Sequence, residues 1–134
     1  MKRFSIKAAI IAVSGVIAAA ASCGHGYPVT CEGDVVSFLS SKGINVIGEP
    51  SVKTVTIPAE FGEVYERYNE LQKQSGFDLS NYRSREAQVY TYAIVSVSGQ
   101  PTDYTEAHVM VCDNIVIGGD IASTDFAGEM APLP

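Results

Sequence analysis

The chain has 134 residues, 9 of them basic and 15 acidic, for a net charge of −6 at pH 7. That balance excludes a partner recognised through its phosphate backbone, since nucleic acids are gripped chiefly by Lys and Arg. The length suits one domain large enough to bury a core of its own.

The first elements concern location. Met1, Lys2, Arg3 and Lys7 form a basic start, Ala8 to Ala21 an apolar run broken only by Ser14 and Gly15, and small residues lead into Cys23. This is the layout of a secretory signal. The run falls short of the ~20 residues that span a bilayer, so residues 1–22 are expected to be cleaved rather than retained as a helix. Ala19 to Cys23 resemble a bacterial lipobox, with Ala20 where leucine is usual. Lipidation at Cys23 would hold the protein on the outer face of the membrane, because two acyl chains suffice for stable anchoring. Cleavage at the A-x-A-like stretch around Ala19 to Ala21 would release a secreted protein instead. Processing removes three of the 9 basic residues and none of the 15 acidic ones, leaving a domain of net charge −9.

Residues 23–31 then read as a tether and 32–134 as a single domain. Val35, Val36, Phe38 and Leu39 recur at helical spacing ahead of Gly43, which predicts a helix over 32–42. Asn45 to Ile47 and Lys53 to Ile57 read as two short strands around the turn-like Gly48, Glu49 and Pro50. A second helix is expected from Pro58 to Ser75, with Phe61, Val64, Tyr65, Tyr68 and Leu71 on its apolar face and Glu63, Glu66, Arg67, Glu70 and Lys73 opposite. The Glu63/Arg67 spacing suits a solvated ion pair.

Ala87 to Val97 alternates as a long strand should. Glu106 to Cys112 and Ile115 to Ile121 follow as a hairpin closed by Asp113 and Asn114, residues that tolerate positive φ. The predicted class is α+β, with two helices packed on an antiparallel sheet of three to five strands that ends in a β-meander. Helices gathered on one face would leave the other for solvent or a partner, although both faces of the last hairpin carry apolar residues.

The stretch from Ile57 to Phe61, the run Tyr65 to Lys73, then Gly76, Phe77, Asp78, Leu79 and Tyr82 resemble the core of the family called domain of unknown function 4830. Tyr90 to Tyr92 and Val116 to Ile121 resemble that family's later strands. The likeness spans Val35 to Leu133 and implies a small exported or lipid-anchored bacterial protein with no assigned activity and no catalytic residues to carry over.

The inventory for chemistry is thin. His25 lies in the tether, and His108 sits mid-strand among apolar neighbours. A plain two-residue turn sets His108 against Gly119 on one face and Ala107 against Asp120 on the other, which parts His108 from Asp120; a one-residue bulge would reunite them. Gly118, Gly119 and Asp120 lie inside a strand with no phosphate-loop lysine, so a bulge or close backbone approach explains the glycines. Cys23, His25 and Cys31 match no zinc spacing, and neither metal nor cofactor is expected. Cys31 and Cys112 can pair in an exported protein, but two positions alone leave the disulfide open. Tyr90 and Tyr92 share one face of their strand and form a candidate binding surface if the helices cover the other.

The sequence therefore predicts a membrane-anchored, extracytoplasmic, non-enzymatic binding domain for an envelope protein or ligand. A small hydrolase drawing on His108 or Asp120 is the alternative.

Overall fold

The computed structural model describes residues 26–97, 104–124 and 129–134. The signal segment, Cys23 and His25 lie outside them. In chain order the elements are β1 (Tyr27–Pro28), α1 (Glu32–Ser41), β2 (Ile44–Thr56), α2 (Glu63–Gln74), a 3-10 turn (Leu79–Tyr82), β3 (Glu86–Val97), β4 (Glu106–Cys112), β5 (Ile115–Ala122) and β6 (Met130–Pro132). All pairings are antiparallel, in the order β1-β5-β4-β3-β2, with β6 on β5 beyond β1. The class is α+β as expected, but the sheet has six strands rather than three to five. The two additional ones are the short β1 and β6, which share the outer edge of β5. Among the described residues no helix is long and apolar enough to cross a membrane.

Helix α1 starts after Cys31, which offers no side-chain cap; Asp34 reaches back to Thr30 instead, accepting from its N–H at 2.7 Å and its hydroxyl at 2.8 Å. Glu32 and Asp34 in the first turn suit the positive end of the helix dipole. Gly43, at φ 79°, ends the helix in the left-handed conformation. Because Tyr27 and Pro28 pair with Val116 and Ile115, and Val29 is buried, folded structure reaches back into the stretch expected to be a tether.

Strand β2 is one strand, not two. Gly48, Glu49 and Pro50 are accommodated as a bulge opposite Tyr92, between the Ile47/Ala93 and Ser51/Thr91 pairs. An edge strand tolerates Pro, because a missing N–H there costs no ladder bond. Helix α2 starts at Glu63 rather than after Pro58. Ile57 is still tied to the end of the ladder through Arg85 and Ser84, at 2.9 and 2.8 Å, and Gly62 is the N-cap. The helix closes in a Schellman motif: Phe77 N–H donates to Gln72 C=O and Gly76 N–H to Lys73 C=O, both at 3.0 Å, with Gly76 at φ 90°.

The helices lie on opposite faces of the sheet. Val35, Phe38 and Leu39 of α1 pack with Tyr92, Ala107, Val109, Val111 and Val116. Tyr65 and Tyr68 of α2, with Leu79, pack on Ala87, Met110, Cys112 and Ile117. Both faces are thus covered, as the two-sided apolar pattern of the last hairpin permits.

Candidate functional site

The site grows from a defect in the β4–β5 hairpin. Asp113 and Asn114, at φ 52° and 65°, form the expected two-residue turn, and Cys112/Ile115 and Val111/Val116 pair as they should. The register then shifts, with Met110 opposite Gly118 and Ile117 as the extra residue. From there His108 opposes Asp120, and both project from the face covered by α2. The regular register that parts them is corrected by this single bulge.

Asp120 is 1% exposed. Its Oδ1 lies 2.8 Å from His108 Nδ1, and its Oδ2 accepts the Tyr68 hydroxyl at 3.1 Å. On the far side of the ring, His108 Nε2 lies 3.3 Å from Glu106 Oε1. The hydrogen bond to Asp120 raises the His108 pKa above 6.5, and the charges of Asp120 and Glu106 add to this against burial. Tyr68 is pushed well above 10.0, first by burial and then by the Asp120 charge and hydrogen bond. The arrangement keeps the phenol neutral and favours an imidazolium.

Glycine makes room for this cluster. A Cβ on Gly118 would sit 3.0 Å from Gln72 Oε1, and one on Gly119 2.6 Å from Leu133 Cδ1 and 2.8 Å from the His108 carbonyl oxygen. Gln72, wholly buried, accepts the Gly119 N–H through Oε1 at 2.8 Å, while its Nε2 has no partner among the described residues. One turn earlier Asn69 accepts the Leu79 N–H at 2.7 Å and donates to Asp78 Oδ1 at 3.0 Å, fixing the 3-10 turn to α2. Hydrogen bonds from Asn69 and Ser80 pull Asp78 down to a pKa of about 2.

Above His108 opens a groove of about 600 Å³. Val64, Tyr65, Leu71, Val89 and Met130 wall it, and Tyr68, His108 and Asp120 form its polar floor. Val64 is 80% exposed and Met130 48%. Arg67 stands at the rim, ion-paired to Glu63 at 2.7 Å with both side chains in solvent. None of the described lining residues is Ser, Thr, Cys or Lys. Among the described residues no three metal-ligating side chains are grouped to hold an ion, and both Asp120 oxygens already have partners.

The other candidates fall elsewhere. Tyr92 is 2% exposed and Tyr90 half-buried, because their face of β3 is the one that α1 covers. They form no open surface. Cys31 is exposed ahead of α1, Cys112 is buried beneath α2, and both thiols are free. Glu63, Glu66 and Glu70 stay exposed on the outer face of α2. Sequence reasoning missed Tyr68, Glu106, Gln72 and Asn69 as site residues. Tyr68 read as one more apolar-stripe position, and Asn69 and Gln72, four and seven residues after Tyr65, lie on the same helical stripe but are polar, so a count of apolar residues passes over them.

The class defined by these observations is a small α+β domain with a carboxylate-held histidine beneath an apolar groove. The chain belongs to the family described as Domain of unknown function (DUF4830), whose model matches residues 40–121. That range contains Tyr68, Gln72, Glu106, His108 and Asp120. No curated protein and no solved structure matches the chain.

Proposed function

We propose that the protein is a lipid-anchored, extracytoplasmic binding domain whose groove receives apolar side chains of an envelope partner. The observation that carries the binding reading is the engagement of both His108 nitrogens by acids, Asp120 on one side and Glu106 on the other. A general base needs a free ring nitrogen aimed at the reacting proton and a pKa near the working pH. Here the ring is held towards its charged form, and the described groove residues include no Ser, Thr, Cys or Lys for it to activate. The walls bind by excluding water, worth ~25 cal/mol per Å² of apolar surface removed from it.

The hydrolase alternative draws on one observation, the 2.8 Å contact of His108 with Asp120. It would require Glu106 to swing away and water to serve as nucleophile. The two readings separate in one experiment, with a photo-crosslinking residue at Val64 on the groove rim and, as a control, at Val52 on β2. The binding reading expects an envelope protein adduct from position 64 that Leu71→Glu abolishes and His108→Gln leaves. Turnover of an ester or amide panel that His108→Gln abolishes, with no adduct at position 64, would overturn it. Anchoring is tested by fatty-acid labelling of the chain and its Cys23→Ala variant, and equal labelling of the two would rule it out.

A further inference from the structure

We infer that the β1 edge of the sheet is a membrane-resting surface, so that the domain stands on the bilayer with β2 outermost. This deepens the anchoring reading above and rests on acylation of Cys23. Cys23 and Gly26 are three peptide units apart, so whatever path the chain takes, Gly26 lies within about 11 Å of the anchored residue. Gly26 leads directly into β1, at the outer edge of β5. So short a connection leaves little freedom to tumble, and the end of the domain around Gly26 must meet the headgroups.

The chemistry of that end fits such a neighbour. Two clefts of about 330 Å³ flank Gly26, formed where the C-terminal ends of α1 and α2 converge at the sheet edge. Their described lining holds one acid, Asp78, whose carboxylate is already bound by Asn69 and Ser80. It also holds one base, Lys42, and the half-buried rings of Tyr27, Phe77 and Tyr82. A domain of net charge −9 would meet repulsion from anionic lipids over most of its surface; the two clefts beside Gly26 hold a single acid between them, and the one further carboxylate whose charge reaches Tyr27 is Asp34 in the first turn of α1. Tyrosine at the edge places an apolar ring and a wet hydroxyl at the same boundary.

The orientation leaves β2 and the first turn of α2 clear of the bilayer, while β6, on the same edge of β5 as β1, lies on the membrane side. Strand β2 is four strand spacings from β1, roughly 19 Å further out. The groove wall residues Val64 and Tyr65 belong to the first turn of α2, about 15–17 Å of helix away from the Ser75 end that borders Gly26.

The chain contains no Trp, so single introduced tryptophans report without background. Asn81→Trp and Ser41→Trp probe the two cleft rims, and Val52→Trp and Val95→Trp the distal half of the sheet. Each acylated protein is bound to phosphatidylcholine vesicles bearing a nitroxide on the headgroup, and the mass of the bound chain is measured. Quenching several-fold stronger at positions 41 and 81 than at 52 and 95 is expected. A vesicle-bound, diacylglycerol-bearing chain quenched equally at all four, or more strongly at 52, overturns the orientation while leaving the anchor intact. A bound chain without the lipid mass, or none bound, overturns the anchor reading and the orientation with it. Two probes at each end keep the comparison decisive if one variant fails to fold.

Discussion

Between Asp120 and Glu106 the His108 imidazole has a carboxylate near each ring nitrogen; the Tyr68 hydroxyl bonds the same Asp120, Thr91 opposes His108 on β3, and Arg67 stands at the groove rim. Its folded pKa lies above 6.5, so the folded state binds the proton more tightly than the unfolded chain does. The resulting stabilisation is complete below about pH 6.5 and declines as pH rises through the folded value. The midpoint of urea unfolding should therefore fall between mildly acidic and mildly alkaline pH, and His108→Gln should flatten that slope. Asp120→Ala should cost about 3 kcal/mol, since it strips the partner from a partly buried imidazolium and from Tyr68. In Asp120→Asn, NMR titration should find the His108 pKa lowered; an unmoved value would mean that Asp120 does not hold the proton. Asp78 works in the opposite sense. Its pKa is drawn from 3.8 to about 2, so its contribution is present above the unfolded value and lost as pH falls through the folded one. Asp78→Asn should remove that part of the acid limb in the same urea titration.

At the scale of elements, the β4–β5 hairpin holds both what the sequence revealed and what it concealed. Its strands and its turn at Asp113 and Asn114 follow from composition, because both turn residues take φ values that few others accept. The bulge at Ile117 is signalled only by the glycines that follow it, which suit a bulge or a close approach without fixing the register: a Val, Ile and Gly run pairs equally well either way until the far face must pack. Gly118 and Gly119 were legible as a close approach, though not as an approach to Gln72 and Leu133. Gly119→Ala should cost about 1–3 kcal/mol, because the new Cβ meets the His108 carbonyl at 2.8 Å and backbone there cannot yield cheaply. Thermal unfolding measures it, and a variant as stable as the parent would mean that β4 and β5 separate more easily than the ladder suggests. The limits of β2 and α2 were misread for one reason. Gly48, Pro50 and Pro58 signal turns and helix starts locally, while a long edge strand absorbs the first two as a bulge and the ladder end at Ile57 delays the helix past the third.

For the whole molecule, the α+β class was readable from the succession of periods, but the side of the sheet on which each helix lies was not. Periodicity assigns an apolar face to every element and does not say which faces meet. With both faces covered, the vulnerable place is the outer edge of β5, which β1 closes at Ile115 and Val116 and β6 closes at Asp120 to Ala122. Strand β6 brings Leu133, 3% exposed, against Gly119, and the Leu133 carbonyl accepts the Ser75 hydroxyl at 3.0 Å, pinning the end of α2 to the last residues. Ending the chain after Glu129 removes the β6 pairing, the Leu133 packing and the Ser75 hydrogen bond, and leaves β1 in place. The lost burial and the cavity left behind should cost about 3 kcal/mol, and melting followed by circular dichroism should fall by roughly 15 °C. Because β6 also lies along Asp120, water then reaches the carboxylate. The His108 pKa should drop back towards 6.5 in the truncated chain, a change that loss of global stability alone does not produce. A shortened protein that melts with the parent and keeps its raised histidine pKa would show that β1 alone suffices to close the edge.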